Sequence, residues 1–352
     1  MTLQRLLSTL ALLALVFGLT SCSEDSPTGG QETEYEVYLN DFSFKVVVAT
    51  YNDMRQKGEV LDQAVESFAA DPSNQSKLDA ACAAWRGMRE PWEAGEAFLF
   101  GPAEFLSLDP SIDSWPVDRQ QLQDVLDSEF DLTPEFIAEG LGPALRGFHT
   151  VEFLLFDNGS PRNVSTYTER EREYLVAVVQ VLADDAARLA AAWEDGFAQE
   201  FANAGKSGSR YRNQTDAVVE IIEGMSGICD EVANGKIADP FDEVDTRLVE
   251  SQFSWNSLDD FTNNIRSVQN AYTGGYHNGD DGKGIDELVA EKDAALDARL
   301  KSEIEAAIAA IGQIPAPFRD NLTATAQIEA AQAAVLKVFN TIENDVKPLF
   351  VN

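Results

Sequence analysis

The stretch Tyr167-Thr168-Glu169-Arg170-Glu171-Arg172-Glu173-Tyr174-Leu175-Val176-Ala177-Val178-Val179-Gln180-Val181-Leu182, continuing through Ala-rich sequence to about Ala202, decides the fold class. It opens with a capping-box pattern, Thr168 three residues before Glu171, and closes at Asn203-Ala204-Gly205, so the spacing predicts one long helix. Upstream, Tyr38, Phe42, Val46, Ala49 and Met54 recur at helical intervals between Tyr35 and Lys57. A further helix is expected to start at the cap signal Asp71-Pro72-Ser73-Asn74, to run through Leu78, Cys82, Trp85 and Met88, and to kink or break at Pro91. The Asp-rich segment from Gly101-Pro102 to Pro116 is too long for a simple turn, and another helix is expected from near Pro143 through Leu145, Phe148, Val151 and Leu155. Downstream the helical pattern resumes at Tyr211 to Asn234, Ser257 to Tyr272, Ile285 to Ile311 and Ala324 to Val346. No stretch alternates as a strand does. The expected class is therefore all-α, as two tandem helical bundles over residues 35–204 and 210–352, parted at the polar break Gly205-Lys206-Ser207-Gly208-Ser209.

The ends and the composition bound the function. A chain of 352 residues exceeds what one core usually serves, which also favours two domains. With 26 Lys or Arg against 60 Asp or Glu the formal charge is −34, which excludes a nucleic-acid partner because a polyanion is bound through basic side chains. Residues 1–21 have the basic start, short apolar run and small residues of a secretory signal peptide. The ending Leu19-Thr20-Ser21-Cys22 resembles the bacterial lipobox, so Cys22 is expected to carry lipid and anchor the chain in a membrane. Residues 22–34 read as a flexible acidic tether. The expected location is the bacterial envelope, lipid-anchored, with the outer membrane preferred, on its periplasmic side or at the cell surface. Cys82 and Cys229 sit in apolar helical contexts and read as buried thiols, with a disulfide as the alternative.

Residues able to do chemistry are few. There are only two histidines, and neither His-Glu-x-x-His nor its inverted form is present, so no complete zinc-hydrolase motif exists. His149 and Glu152 lie three apart on a predicted helix and leave one face, where they could share an ion or simply pair with each other. Glu93 and Glu96 share a face in an aromatic context, Trp92 to Phe100, and need a cation, a base or protonation to offset burial. Arg86 and Arg89 could supply that base in a structural network. Asp109, Asp113 and Asp118 in the following loop could add a carboxylate.

The strings Trp85-Arg86-x-x-Arg89-x-Pro91-Trp92-Glu93-x-x-Glu96-x-Phe98-Leu99-Phe100-Gly101-Pro102, Asp113-Ser114-Trp115-Pro116 and Gly147-Phe148-His149-Thr150-Val151-Glu152 resemble the imelysin-like proteins, whose hallmark is Gly-x-His-x-x-Glu. Val249 to Asp260 and Tyr272-Thr273-Gly274-Gly275-Tyr276 look like the second-half motifs of that family. The resemblance implies two helical halves, export, often as a lipoprotein, and an association with iron acquisition and its uptake components. It also implies a family classed with metallopeptidases. Carried over residue by residue, it makes His149, Glu152, Glu93, Glu96 and Asp113 candidate metal or ligand donors. The pocket they would form is expected to be lined by Trp92, Trp115 and Arg86. One imidazole among four carboxylates makes a hard site suited to iron, manganese or calcium more than to zinc. The expected function is thus an envelope metal-binding or iron-related protein. A metallopeptidase and a non-catalytic docking bundle are the alternatives.

Overall fold

The computed structural model describes residues 34–276 and 282–351. The signal peptide, Cys22, the tether up to residue 33 and His277 lie outside the described residues. Among the described residues, eight principal helices carry the fold. Helix α1 spans 36–70 through a π turn at Phe42–Val47, α2 is Gln75–Glu93, α3 is Gly147–Leu155, and α4 spans 169–202 through a π turn at Trp193–Phe197. Helix α5 spans 214–243 through a π turn at Val232–Ile237, α6 is Ser257–Thr273, α7 is Ile285–Ile311, and α8 spans 325–346. The all-α reading holds; the strand content among the described residues is the two-residue pair Phe156–Asp157 with Ser160–Pro161.

Local chemistry accounts for the helix limits. Thr168 accepts from the Glu171 backbone N–H at 3.1 Å while Glu171 accepts from the Thr168 N–H at 2.7 Å, so two donors that the first turn would leave unpaired are satisfied. Asn213 begins α5 the same way, accepting from the Asp216 N–H at 2.8 Å. Pro91 does not break α2, contrary to the sequence expectation. It stands two residues before the helix ends, so it forfeits one bond near the terminus, and the Ala94 N–H still reaches the Glu90 carbonyl at 3.0 Å. The helix expected near Pro143 begins at Gly147 instead, after a single 3-10 turn at Pro143–Leu145.

Helices α1 to α4 pack as one four-helix group and α5 to α8 as a second, each burying an apolar stripe typified by Met54, Trp85, Phe148 and Leu182 in the first and Ile222, Phe261, Leu300 and Val335 in the second. The hydrophobic core runs unbroken through both. The seam is made by α2 against α6 and by the short turn Glu96–Phe98 wedged against α5 and α6. There the Ala97 N–H donates to Ser267 Oγ at 3.0 Å, and a β-carbon at Gly224 would stand 2.1 Å from the Ala97 carbonyl oxygen, so only glycine allows this approach. Cys82 and Cys229 are free, buried thiols.

Candidate functional site

The C-terminal end of α2, the turn after it, the Asp113 loop and α3 bring His149, Asp113, Glu93 and Glu96 together at the seam. Arg89 lies at the centre of this cluster, fully buried. Its guanidinium meets Glu93 at 2.5 Å and Glu250 at 2.7 Å, contacts Asp113, and lies 3.6 Å from Asp260. Lys236 enters from α5, 2.9 Å from Glu96, 3.3 Å from Glu250 and 3.7 Å from Glu93. Asn264 of α6 donates to Glu93 at 2.5 Å. The basic network that sequence reading offered as the alternative is therefore present, but through Arg89 and Lys236.

The other members have distinct places. His149 lies 3.1 Å from Asp113 and 3.5 Å from Glu250 through Nε2, and 3.2 Å from Glu152 through Nδ1. The remaining oxygen of Glu152 accepts from the backbone N–H groups of Phe253 and Ser254 at 3.0 and 2.7 Å and from the Ser254 hydroxyl at 2.7 Å. Glu152 is thus saturated; it orients the imidazole and ties α3 to the 249–256 loop of the second half. Trp92 is wholly buried and its indole N–H donates to Asp113 at 2.6 Å, so it positions a carboxylate and does not wall the cleft as expected. Trp115 does line it, edge-on to His149 with ring centroids 4.8 Å apart. Arg86 faces away from the cleft, donating to the Gly159 and Ser254 carbonyls at 3.3 and 2.6 Å, a correction to its expected place in the wall. Asp109 reaches the cleft, whereas Asp118 caps a helix by accepting from the Gln121 N–H at 2.9 Å.

Sequence reading assigned no site role to Glu250, Lys236 or Asp260. Glu250 and Asp260 stand inside the second-half motif, and the sequence clue for Lys236 is a cation set among the apolar Val232, Ala233 and Ile237. The 249–256 loop carries Ser251 and Trp255 at φ of 51° and 62°, backbone strain of the kind that collects at functional sites.

Charge is out of balance here. Six carboxylates with buried side chains, Glu93, Glu96, Asp113, Glu152, Glu250 and Asp260, face three groups able to be positive, Arg89, Lys236 and His149. Burial pushes the Glu93 carboxyl up to about 8 and Asp260 to about 6, and holds Glu96 well above its usual value, despite Arg89 and Lys236 nearby. Burial works against ionising Asp113 and Glu250 too, but Arg89 and His149 hold Asp113 low, and Lys236, His149 and Arg89 hold Glu250 at about 2. His149 rises well above its usual range: burial and Arg89 favour the neutral ring, but Asp113 and Glu152 outweigh them. Above these groups opens a cleft of about 450 Å³ between the halves, with Asp109, Glu231, Asp239 and Leu248 at its mouth.

Two sets of donors lie close enough together to hold a metal ion. His149, Asp113 and Glu250 each offer an atom within 4.8 Å of the others, and so do Glu93, Glu96 and Asp113. Metal–oxygen distances of about 2.0–2.6 Å need only small movements from such spacings.

The chain is similar to known proteins over most of its length. The imelysin family profile matches residues 47–344. Iron-regulated protein A of Synechococcus elongatus is 29% identical over 319 residues, covering 88% of this chain and 85% of that one. A solved structure assigned as an iron-regulated protein A precursor, from Parabacteroides distasonis, superposes with a TM-score of 0.84 at 33% identity, over 93% of this chain and 97% of that one. An imelysin-like protein from Psychrobacter arcticum shares the fold, with a TM-score of 0.72 at 13% identity over 90% of this chain and 95% of the other.

Proposed function

This chain belongs to the imelysin family, and we propose that it is an envelope lipoprotein that binds a hard metal cation, iron foremost, in the cleft between its two halves. The carrying observation is the surplus of buried carboxylate around His149: with all six carboxylates ionised and the imidazole protonated, negative groups would outnumber positive ones by six to three. Protons can fill the deficit, and a divalent or trivalent cation can fill it better, because oxygen-rich sets favour iron, manganese and calcium. Relatives named for iron regulation support iron as the cargo. Manganese, calcium and zinc are the competitors to be measured.

The saturation of Glu152 argues against the peptidase alternative. A zinc peptidase needs an open position for water and a carboxylate free to take its proton. Glu152 has no oxygen to spare, being held by His149, two backbone N–H groups and the Ser254 hydroxyl.

Titration calorimetry on chelator-treated protein tests the reading. His149→Ala should weaken iron and manganese binding about 10- to 100-fold, as loss of a coordinating group does, and calcium binding less. Glu250→Gln should weaken all three. Wild-type affinity in both variants would refute the site, and cleavage of an unfolded substrate by the metal-loaded protein, lost in His149→Ala, would restore the peptidase alternative. The anchor is tested separately: Cys22→Ser should leave the detergent phase into which the wild type partitions.

A further inference from the structure

Beyond the acidic cleft, the groove between the halves opens into a cavity of about 570 Å³ whose wall includes Arg119, Arg162, Arg247 and Arg319 with two carboxylates, Asp157 and Glu171. In a chain with 26 basic and 60 acidic residues, this reverses the local ratio. Two of the arginines are already neutralised, Arg162 by Glu171 at 2.9 Å and Arg247 by Asp245 at 2.5 Å. The other two are held more weakly. Arg319 is 3.5 Å from the exposed Asp320 and donates to the Gln252 carbonyl at 3.0 Å. Arg119 makes no ion pair among the described residues. Its guanidinium stacks 4.7 Å from the Phe253 ring and 5.5 Å from Phe153, two rings themselves in edge contact at 5.2 Å. One N–H of that planar fork makes a long contact of 3.5 Å to the Gln252 side-chain oxygen, and aromatic stacking holds the plane in place while leaving its other donors available, which is how arginine is prepared for a planar oxyanion.

We propose that this cavity is an anion site, built from Arg119 and Arg319 on opposite halves, for a small ligand bearing carboxylate or phosphate groups. The wall draws Arg119, Phe153 and Arg162 from the first half and Arg247, Phe253 and Arg319 from the second, so an occupant bridges the seam. It also touches the 249–256 loop from the side opposite the cation cleft: Gln252 and Phe253 line this cavity, while Glu250 faces Arg89 and Ser254 holds Glu152. The inference is independent of the metal reading.

Calorimetry on metal-free protein with citrate and, separately, inorganic phosphate as probes tests it, in low salt without competing polyanions. At least one probe should bind, with affinity falling as sodium chloride is added. Arg119→Gln and Arg319→Gln should each weaken it about tenfold or more, the cost of a lost charge-assisted hydrogen bond. Arg299→Gln, on a surface pair with Asp345, should not change it, and unchanged circular dichroism would show that the variants fold. Retained binding in His149→Ala would separate this site from the acidic cleft. Preference for citrate identifies a carboxylate ligand, and preference for phosphate a phosphate ligand. Binding of neither probe, or equal binding by wild type, Arg119→Gln and Arg319→Gln, would overturn the proposal.

Discussion

At Gly147 the backbone has a φ of 77°, and a β-carbon there would lie 2.3 Å from the Ile112 carbonyl oxygen. The glycine of Gly-x-His-x-x-Glu therefore contributes no ligand; it lets the start of α3 press against the loop that ends in Asp113. His149 is thereby brought to 3.1 Å from that carboxylate. Alanine at this position adds both a clash with backbone and an unfavourable left-handed conformation. Gly147→Ala should cost about 1–3 kcal/mol or more in thermal or denaturant unfolding and should also weaken metal binding, because His149 is displaced. Gly227→Ala is the matched control: its β-carbon meets nothing within 4 Å and the position is helical, so stability should hold or rise slightly. Equal behaviour of the two variants would mean that the motif glycine is incidental.

Among the elements, the π turn Val232–Ile237 brings Lys236 into the cleft, where it stands against Glu96 and Glu250 in the place a bound cation would compete for. Removing it leaves buried carboxylates unmatched, which commonly costs about 3–5 kcal/mol. Lys236→Gln should therefore melt lower than wild type in chelator, and added manganese should recover more stability in the variant than in the wild type. A variant that melts lower and gains nothing extra from metal would place the cation elsewhere. Local periodicity made the helices legible: Ile285–Ile311 matches its sequence-read limits, and Ser257–Thr273 differs by one residue. His149, Asp113, Glu93 and Glu96 were legible as types because an imidazole and carboxylates in apolar surroundings need an explanation. Lys236 and Asp260 carried only weaker clues, a cation among apolar residues and a place in the second-half motif, since what makes them site residues is the approach of α5 and α6 to α2, which no local pattern encodes. The saturation of Glu152 was hidden for the same reason, its partners lying a hundred residues on in the 249–256 loop.

Across the whole molecule the buried carboxylates set how stability follows pH. Glu93 at about 8 and Asp260 at about 6 titrate higher in the folded chain than the values of about 4 expected when unfolded, so the folded state holds the extra protons. Their contribution is full below about pH 4 and is lost as pH rises through 6 and 8. Glu250 at about 2, with Asp113 also depressed, works the other way: its contribution is present above about pH 4 and is lost as pH falls towards 2. The net charge of −34 adds self-repulsion on the alkaline side. Metal-free protein should therefore be most stable near about pH 4, and its melting temperature should fall from there to about pH 8. A bound cation replaces those protons, keeps the carboxylates ionised and should flatten that fall. Melting curves from pH 4 to 9, with chelator and again with saturating manganese, read both effects at once. A chelated protein whose melting temperature climbs steadily to pH 8 would mean that the cluster is neutralised within the chain, and the charge deficit that calls for a cation would not exist.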